Sequence, residues 1–381
     1  MFAYSLVSSG SRSWHTKCRF TQGVLRSMLL SAAVGFSALM VSQSSTAEQL
    51  FIGDAGDNSI KQFNLTGAYI GPFVASGAAA AGLTGPRGMI FTDGQLVVVN
   101  QNVNTPNNGE VMRFDAKTGT FIGKLVSSTD PNAPFSPRGI VRGGPNNYFY
   151  VADDGVANNK CANEGDVKEY DAAGAFKGNL NRKNFKPGFY PRGVVFGPDG
   201  LLYVSARACP VSKDPHDPSV GYVLRFDPRT NAFVDVFASD ATVPDLHRPE
   251  GLVFDSKGNL WVTSFRAGAT DTDKILKLDG KTGHLLDKVE LDVAGSLRSY
   301  AEAIIFGPGG YLYVPITGSP NTGSDKTTTG EVRRCNTTTT TTSPTIQCNV
   351  IVPANSTGGP LQSPWYPIFK NSDPATLDYD N

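Results

Sequence analysis

A three-residue phrase recurs along the chain at nearly constant spacing. Pro-Arg-Gly, followed by apolar residues, occurs at 86–88, 137–139 and 191–193, and it returns as Pro-Glu-Gly at 249–251. Successive copies begin 51, 54 and 58 residues apart. Self-similarity at such a period is typical of architectures built from repeated units. The middle residue of each phrase should therefore occupy an equivalent place in every unit, which makes it the first candidate for function.

Each unit contains the pattern of four short strands. In the unit that begins at Pro191, apolar or alternating runs at 194–196, 201–204, 222–226 and 233–237 are separated by turns rich in Gly, Pro and Asp. Period-2 runs of β-branched and aromatic residues between such turns predict antiparallel strands. Four strands per unit is the pattern of a β-propeller blade.

The two ends of the chain complete the count of units. Another unit begins near Glu302, residues 50–53 match a second strand, and residues 364–369 match a first strand with no unit after it. We expect the C-terminal strand to complete the N-terminal blade and close the ring, because closure removes free sheet edges. The sequence therefore predicts an all-β, six-bladed β-propeller with four antiparallel strands per blade.

The N-terminal segment reads as a targeting sequence. Residues 1–47 contain no Asp or Glu, and a basic lead-in precedes an apolar run at 28–41 and small residues at 45–47. This layout predicts a signal peptide with a long basic lead-in, followed by a single propeller domain at 48–381. A transit peptide or a retained anchor is the alternative. We expect a secreted, extracellular protein, or alternatively one in a periplasm or organelle lumen.

Composition argues against two classes of partner. Lys and Arg number 34 and Asp and Glu number 34, so the formal net charge is zero. A chain without excess positive charge is not expected to bind nucleic acid or a membrane surface. No stretch after the leader is long and apolar enough to span a bilayer. We expect a monomer.

Cysteines and sequons are consistent with export. Four cysteines follow the leader, and pairing Cys161 with Cys209 and Cys335 with Cys348 is one of three connectivities. Free buried thiols are the alternative. The N-glycosylation pattern occurs at Asn64, Asn336 and Asn355, which predicts a glycoprotein only in a host that uses such sites.

The repeats resemble a known group of propellers. Residues 191–204 are similar to NHL repeats and to the six-bladed propellers of the senescence-marker-protein/gluconolactonase-like group, and the resemblance covers about residues 50–370. It implies a lactonase, lyase, esterase or binding protein. In the enzymes of this group one divalent metal is held at the channel mouth by Glu, Asn and Asp residues, at the middle position of the repeated phrase.

At that ring position this chain carries a different set of residues. They are Arg87, Arg138, Arg192, Glu250, Glu302 and Trp365. Three guanidiniums oppose a cation, so no metal is expected, with one divalent cation such as calcium as the alternative. Arginine forks suit carboxylate, sulfate or phosphate. The ring thus predicts a binding or scaffold protein for an anionic small molecule, a glycan or a protein partner. Alternatively, Glu250 and Glu302 only pair with neighbouring arginines and lock the blades together.

A catalytic role is the second hypothesis for function. A gluconolactonase-like hydrolase or lyase would use Glu250, Glu302 and possibly His247, although a solvated loop histidine is the commoner situation. His216 and His284 are not at equivalent positions, so a three-histidine zinc site is not expected. Long loops between second and third strands supply further candidates on the same face. These candidates are Gln101, Asn102, Asp153, Asp154, Arg207 and Arg266.

Overall fold

Six four-stranded sheets form the described part of the protein. The computed structural model describes residues 48–102, 108–155, 164–208, 220–318, 330–338 and 345–379. Every sheet is antiparallel and contains four strands. Short 3₁₀ turns at Gly77–Ala80, Pro308–Gly310 and Asn355–Thr357 are the helical segments of these residues. The predicted six-bladed, all-β propeller is confirmed.

The strands of each blade follow one another in the chain, except in blade 1. Blade 1 consists of β24 (Pro364–Phe369), β1 (Gln49–Asp54), β2 (Ser59–Asn64) and β3 (Tyr69–Val74). Blade 2 consists of β4 (Pro86–Thr92), β5 (Gln95–Asn100), β6 (Glu110–Asp115) and β7 (Phe121–Val126). Blade 3 consists of β8 (Pro137–Gly143), β9 (Tyr148–Asp153), β10 (Asp166–Tyr170) and β11 (Phe176–Asn179).

The remaining three blades have the same order. Blade 4 consists of β12 (Tyr190–Phe196), β13 (Leu202–Arg207), β14 (Gly221–Asp227) and β15 (Ala232–Ser239). Blade 5 consists of β16 (Leu252–Phe254), β17 (Leu260–Ser264), β18 (Lys274–Leu278) and β19 (Leu285–Glu290). Blade 6 consists of β20 (Ile305–Gly307), β21 (Tyr311–Ile316), β22 (Glu331–Asn336) and β23 (Gln347–Val352).

The C-terminal strand closes the ring, as expected. β24 pairs with β1 in antiparallel register, with Leu50 opposite Phe369 and Gly53 opposite Tyr366. First strands of neighbouring blades contact one another around the whole ring, which places them innermost. We call the face where the first strands begin the upper face and the face where they end the lower face.

Aromatic pairs hold neighbouring blades together. At five of the six junctions, an aromatic residue of a second strand meets an aromatic residue of the next blade's first strand, edge to face. These pairs are Phe51–Phe91, Tyr150–Phe196, Tyr203–Phe254, Trp261–Phe306 and Tyr313–Phe369, with ring centroids 4.9–5.9 Å apart. Each pair contributes about 0.5–1.5 kcal/mol beyond the burial of its area. At the sixth junction Arg142 stands in place of the aromatic and binds Thr92 and Asp93 of blade 2.

The C-terminal tail crosses the lower face, a path that no sequence pattern predicted. After β24 in blade 1, the carbonyls of Pro374 and Ala375 accept hydrogen bonds of 2.8 and 3.0 Å from the backbone amides of Arg142 in blade 3 and Phe196 in blade 4. Leu377 is buried in this position. Since blade 4 lies opposite blade 1 in the ring, the tail spans the lower end of the axis.

Several other predictions concern the surface and the leader. Cys335 and Cys348 face each other on β22 and β23 and form the predicted disulfide. Cys161, Cys209 and residues 1–47 lie outside the described residues. The side chains of Asn336 and Asn355 are exposed and that of Asn64 is half-buried, and their glycosylation stays a prediction. No described helix has the length and apolar character needed to cross a membrane.

The glycines of the repeated phrase let the innermost strands approach backbone to backbone. A Cβ added at Gly88 would lie 2.7 Å from the carbonyl oxygen of Arg138, and one at Gly139 would lie 2.9 Å from that of Arg192. A Cβ at Gly193 would lie 2.5 Å from the carbonyl oxygen of Glu250. At Gly88 and Gly139 the three nearest atoms all belong to the backbone, which cannot rotate away, and at Gly193 side-chain atoms of Leu252 and Ser205 are close as well. The phrase therefore recurs because each copy packs on the next one around the axis.

Replacing one of these glycines should destabilise the whole ring. We expect Gly88→Ala to lower the free energy of unfolding by about 1–3 kcal/mol, because its Cβ would overpack against the backbone of residues 138 to 140. Urea unfolding followed by tryptophan fluorescence measures the change. Gly268→Ala is the matched control, since a Cβ there meets open space. Equal stability of the two variants would contradict this account of the repeat.

Candidate functional site

The six ring residues line one small cavity on the axis. Arg87, Arg138, Arg192, Glu250, Glu302 and Trp365 contribute to its wall, together with the small or aromatic residues that follow them in the chain. The volume of the cavity is about 30 Å³. This is roughly twice the minimum that one water needs, so a small polar group fits inside the cavity.

β-Bulges aim the arginines at the axis. The register between first and second strands shifts between Pro86 and Met89, between Pro137 and Ile140, and between Pro191 and Val194. A bulge adds a residue to one strand and redirects its side chain. In blades 5 and 6 the first strand begins only at Leu252 and Ile305, so Glu250 and Glu302 lie just before it.

Carboxylates at the ends of second strands hold in place the backbone that leads into the first strands. Asp54 accepts hydrogen bonds from the amides of Gln362 and Ser363, at 2.8 and 2.7 Å. Asp153 accepts two of 2.7 Å from the amides of Phe135 and Ser136. These amides immediately precede Pro364 and Pro137. A carboxylate bonded to two amides holds the backbone firmly, so the ring side chains start from fixed positions.

Arg192 forms ion pairs with two carboxylates. Its Nε lies 3.0 Å from Oδ1 of Asp154, and its Nη1 lies 3.2 Å from Oε1 of Glu250. All three side chains are more than nine-tenths buried. This pairing corresponds to the alternative in which Glu250 locks neighbouring blades together, since Arg192 belongs to blade 4 and Glu250 precedes blade 5.

Arg87 and Arg138 both contact the ring of Trp365 instead. The guanidinium carbon of Arg87 lies 3.5 Å from the centroid of the indole, and that of Arg138 lies 5.1 Å from it. Arg138 also approaches Oδ2 of Asp154 at 3.4 Å. Among the described residues Arg87 has no carboxylate at ion-pair distance, and its hydrogen bond is one of 3.3 Å to the carbonyl of Pro86. Five donors on a buried guanidinium are thus mostly available.

The electrostatic surroundings disfavour this much positive charge. Burial, and then repulsion from Arg138, lowers the pKa of Arg87. Burial, and then repulsion from Arg192, lowers the pKa of Arg138. Repulsion from Arg192 together with burial lowers the pKa of Arg207, beside Asp154, to about 10. An anion placed among these groups would stabilise their charged forms.

Unlike Asp154 and Glu250, the carboxyl group of Glu302 forms no ion pair with an arginine among the described residues. Burial, and then repulsion from Glu250, raises its pKa to about 8. The group is therefore mostly protonated at neutral pH. With Arg87, Arg138, Arg192 and Arg207 counted against Asp154 and Glu250, the formal charge of the cluster is 4 − 2 = +2. A charge of this sign opposes a metal ion and favours an anion.

The loop candidates divide into two groups. Asp154 and Arg207 join the ring cluster, although Arg207 is 3.9 Å from Asp154. Gln101 binds the hydroxyl of Ser136, Asn102 binds the carbonyl of Asn108, and Arg266 binds the carbonyl of Ser296. Together with Asp153, these three hold loops in place. The sequence did not distinguish Asp154 from its neighbour Asp153, because nothing in the pattern shows which carboxylate faces the axis.

Neither His247 nor His284 lines the cavity. The charged neighbours of His247 are Asp271, Lys274, Asp240 and Asp245, and burial lowers its pKa. His247 does not line the cavity that contains Glu250. His284 is in the turn before β19, and His216 lies outside the described residues. Within the ranges described above, no group of three or more His, Cys, Asp or Glu is arranged to hold a metal ion.

Comparison with known proteins concerns the architecture. No family model matches the sequence, and no curated protein matches it. Among solved structures, a gluconolactonase from Xanthomonas campestris matches at 15% identity and a TM-score of 0.44, over 74% of this chain and 84% of the other. A luciferin-regenerating enzyme matches at 16% identity and a TM-score of 0.49, over 76% and 87%. A PQQ-bound aldose sugar dehydrogenase from Streptomyces coelicolor matches at 15% identity and 0.44, over 69% and 80%.

The resemblance to gluconolactonase-like six-bladed propellers is one of fold, which the six four-stranded sheets of this protein show directly. At such identities the structural matches say nothing about activity, because one fold serves many functions. The NHL type of the repeat stays a prediction.

Asp154 should be the main electrostatic support of the cluster. We expect Asp154→Asn to lower the free energy of unfolding by about 3–5 kcal/mol, because it leaves Arg192 and Arg138 without their shared buried partner. Thermal or urea unfolding measures the loss. Asp227→Asn is the control, since Asp227 pairs with the exposed Arg229, and little change is expected there. A similar small effect at Asp154 would show that the arginines need no support.

Proposed function

We propose that this protein is a binding protein whose axial cavity accepts the anionic group of a small molecule or of a larger partner. The observation that carries the proposal is the position of Arg87. Its guanidinium is buried against Trp365 beside Arg138, and no carboxylate of the described residues lies at ion-pair distance from it; Glu302 and Glu250 act on it only across the cavity. Buried charges are normally paired, so an anion from outside is the expected partner.

The chemistry of the donors supports this choice. Arginine stays charged and presents a planar fork that matches an oxoanion. The cation–π contact with Trp365 holds the fork in one orientation and lowers the entropy lost on binding. The cavity volume limits the bound part to a small group, so the remainder of the ligand would extend above the upper face.

A gluconolactonase-like hydrolase or lyase is less well supported. Such an enzyme would use Glu250, Glu302 and His247, but Glu250 is bonded to Arg192 and His247 does not line the cavity. At about 8 Å and an effective dielectric of about 20, each unpaired guanidinium disfavours a unit positive charge by about 2 kcal/mol. A catalytic divalent cation would therefore bind against the local charge.

We also propose that the protein is exported. The disulfide between Cys335 and Cys348 supports this, because disulfides persist in oxidising compartments. Determination of the N-terminal residue of the protein made by its own host tests it, since removal of a leader would leave a new terminus near residue 48.

Anions should stabilise the folded protein through Arg138. We expect acetate, sulfate or phosphate to raise the melting temperature at constant ionic strength, with about 2.7 kcal/mol of stabilisation when the anion is at 100 times its Kd. Arg138→Gln should weaken binding at least about tenfold, because it removes a charged hydrogen-bond donor. Differential scanning fluorimetry and titration calorimetry measure the two effects.

Arg229→Gln serves as the control, because Arg229 is exposed on a turn far along the chain from the ring. Stabilisation that chloride reproduces, or that Arg138→Gln leaves unchanged, would contradict a specific anion site. Turnover of a lactone or ester that chelation abolishes would favour the enzyme instead.

A further inference from the structure

The ring order places Glu302 across the cavity from Arg138. The ring residues follow one another as the blades do, so blade 6, which carries Glu302, lies opposite blade 3, which carries Arg138. In the same way, Glu250 lies opposite Arg87. A group in the cavity would therefore touch arginine donors on one side and the two glutamates on the other.

The two glutamates differ in their contacts. Glu250 pairs with Arg192, but no hydrogen bond or ion pair joins Glu302 to another residue of the described ranges. Its Oε2 is buried and lacks a partner there. A buried carboxyl oxygen without a partner is costly, and a bound ligand would relieve that cost.

We infer that Glu302 binds the ligand as a neutral acid, donating its O–H to a carboxylate group that Arg87 and Arg138 hold from the other side. The inference rests on the proposed function and names its ligand class, a small organic carboxylate. A carboxylate is planar, carries one charge, and has about four acceptor positions, enough for one N–H or more from each of two guanidiniums and one hydroxyl donor. It is also a small enough group for a cavity of about 30 Å³.

The groups around Glu302 agree with a protonated state. It faces Glu250, Arg138, Arg192 and Arg87 from the ring, and Tyr366, whose pKa is raised by burial, lines the same cavity as a neutral phenol. Burial and Glu250 outweigh the three arginines and raise the pKa of Glu302 to about 8. A bound carboxylate adds another negative charge and raises this pKa further.

Binding should therefore take up a proton at alkaline pH. Below about pH 8 Glu302 is already protonated, so the affinity should not change with pH. Above that value the free protein loses the proton, and the affinity should fall by about tenfold per pH unit, since each binding event must first restore the proton. Arg207, with a pKa of about 10, limits the useful window to pH 6–9.5.

Titration calorimetry of the full-length protein with acetate tests the inference. In the wild type, the association constant should be flat from pH 6 to 7.5 and about tenfold lower at pH 9.5 than at pH 8.5. At pH 9.5, enthalpies in buffers of different ionisation enthalpy should show close to one proton taken up per acetate. This measurement needs no variant, so it stands even if substitutions in the ring reduce folding.

Glu302→Gln is the decisive variant. The amide keeps a donor at the same place and cannot ionise, so acetate binding should persist to pH 9.5 with a flat profile. Glu331→Gln is the control, because Glu331 pairs with Arg333 on the third strand of blade 6 and should leave the wild-type pH profile unchanged.

The outcomes separate this inference from the proposed function. Acetate binding that depends on Arg138 but has a flat wild-type profile, or no proton uptake, would overturn the role of Glu302 and leave the anion site intact. Tighter binding of sulfate or phosphate than of acetate would overturn the ligand class. If none of the three anions binds between pH 6 and 9.5, the proposed function itself fails.

Discussion

The close approach of backbones around the axis is the constraint on which this structure depends. Gly88, Gly139 and Gly193 each lie against a backbone carbonyl in the next copy of the phrase. These are the carbonyls of the middle residues Arg138, Arg192 and Glu250, respectively. An added Cβ at any of these three glycines would collide with the next copy, and the residue before each glycine is the one whose side chain lines the cavity. The packing of the first strands around the axis therefore brings residues of six distant segments together in one cavity. In blades 6 and 1 the glycine position is occupied by Ala303 and Tyr366. The cavity wall therefore includes a methyl group and a phenol ring on that side.

Charge in this cavity is distributed unevenly. Arg192 forms ion pairs with Asp154 and Glu250, whereas Arg87 has no carboxylate at ion-pair distance among the described residues and lies against the face of Trp365. A cation–π contact compensates less than a carboxylate does when both are buried. The arrangement thus keeps two guanidiniums oriented but incompletely paired. The proposed anion site rests on that combination of fixed orientation and incomplete pairing.

Departures from the repeat mark where individual blades differ in role. Five residues after the start of each phrase stands an aromatic that packs on the preceding blade, except at Arg142. The tail hydrogen-bonds beside this same arginine and beside Phe196, and it covers the lower end of the axis. A ligand of the proposed anion site would consequently reach the arginines from the upper face.

Sequence pattern alone was enough for the architecture: the period, the four-strand units and the split first blade predicted six blades and their closure, because strand alternation and turn residues are local signals. It also placed Arg87, Arg138, Arg192, Glu250, Glu302 and Trp365 at equivalent positions. Which of them pair was decided only by folding, since Asp154, 38 residues from Arg192, reaches it through the ring. The protonation of Glu302 and the path of the tail likewise depend on burial and on contacts between distant blades, which no local pattern encodes.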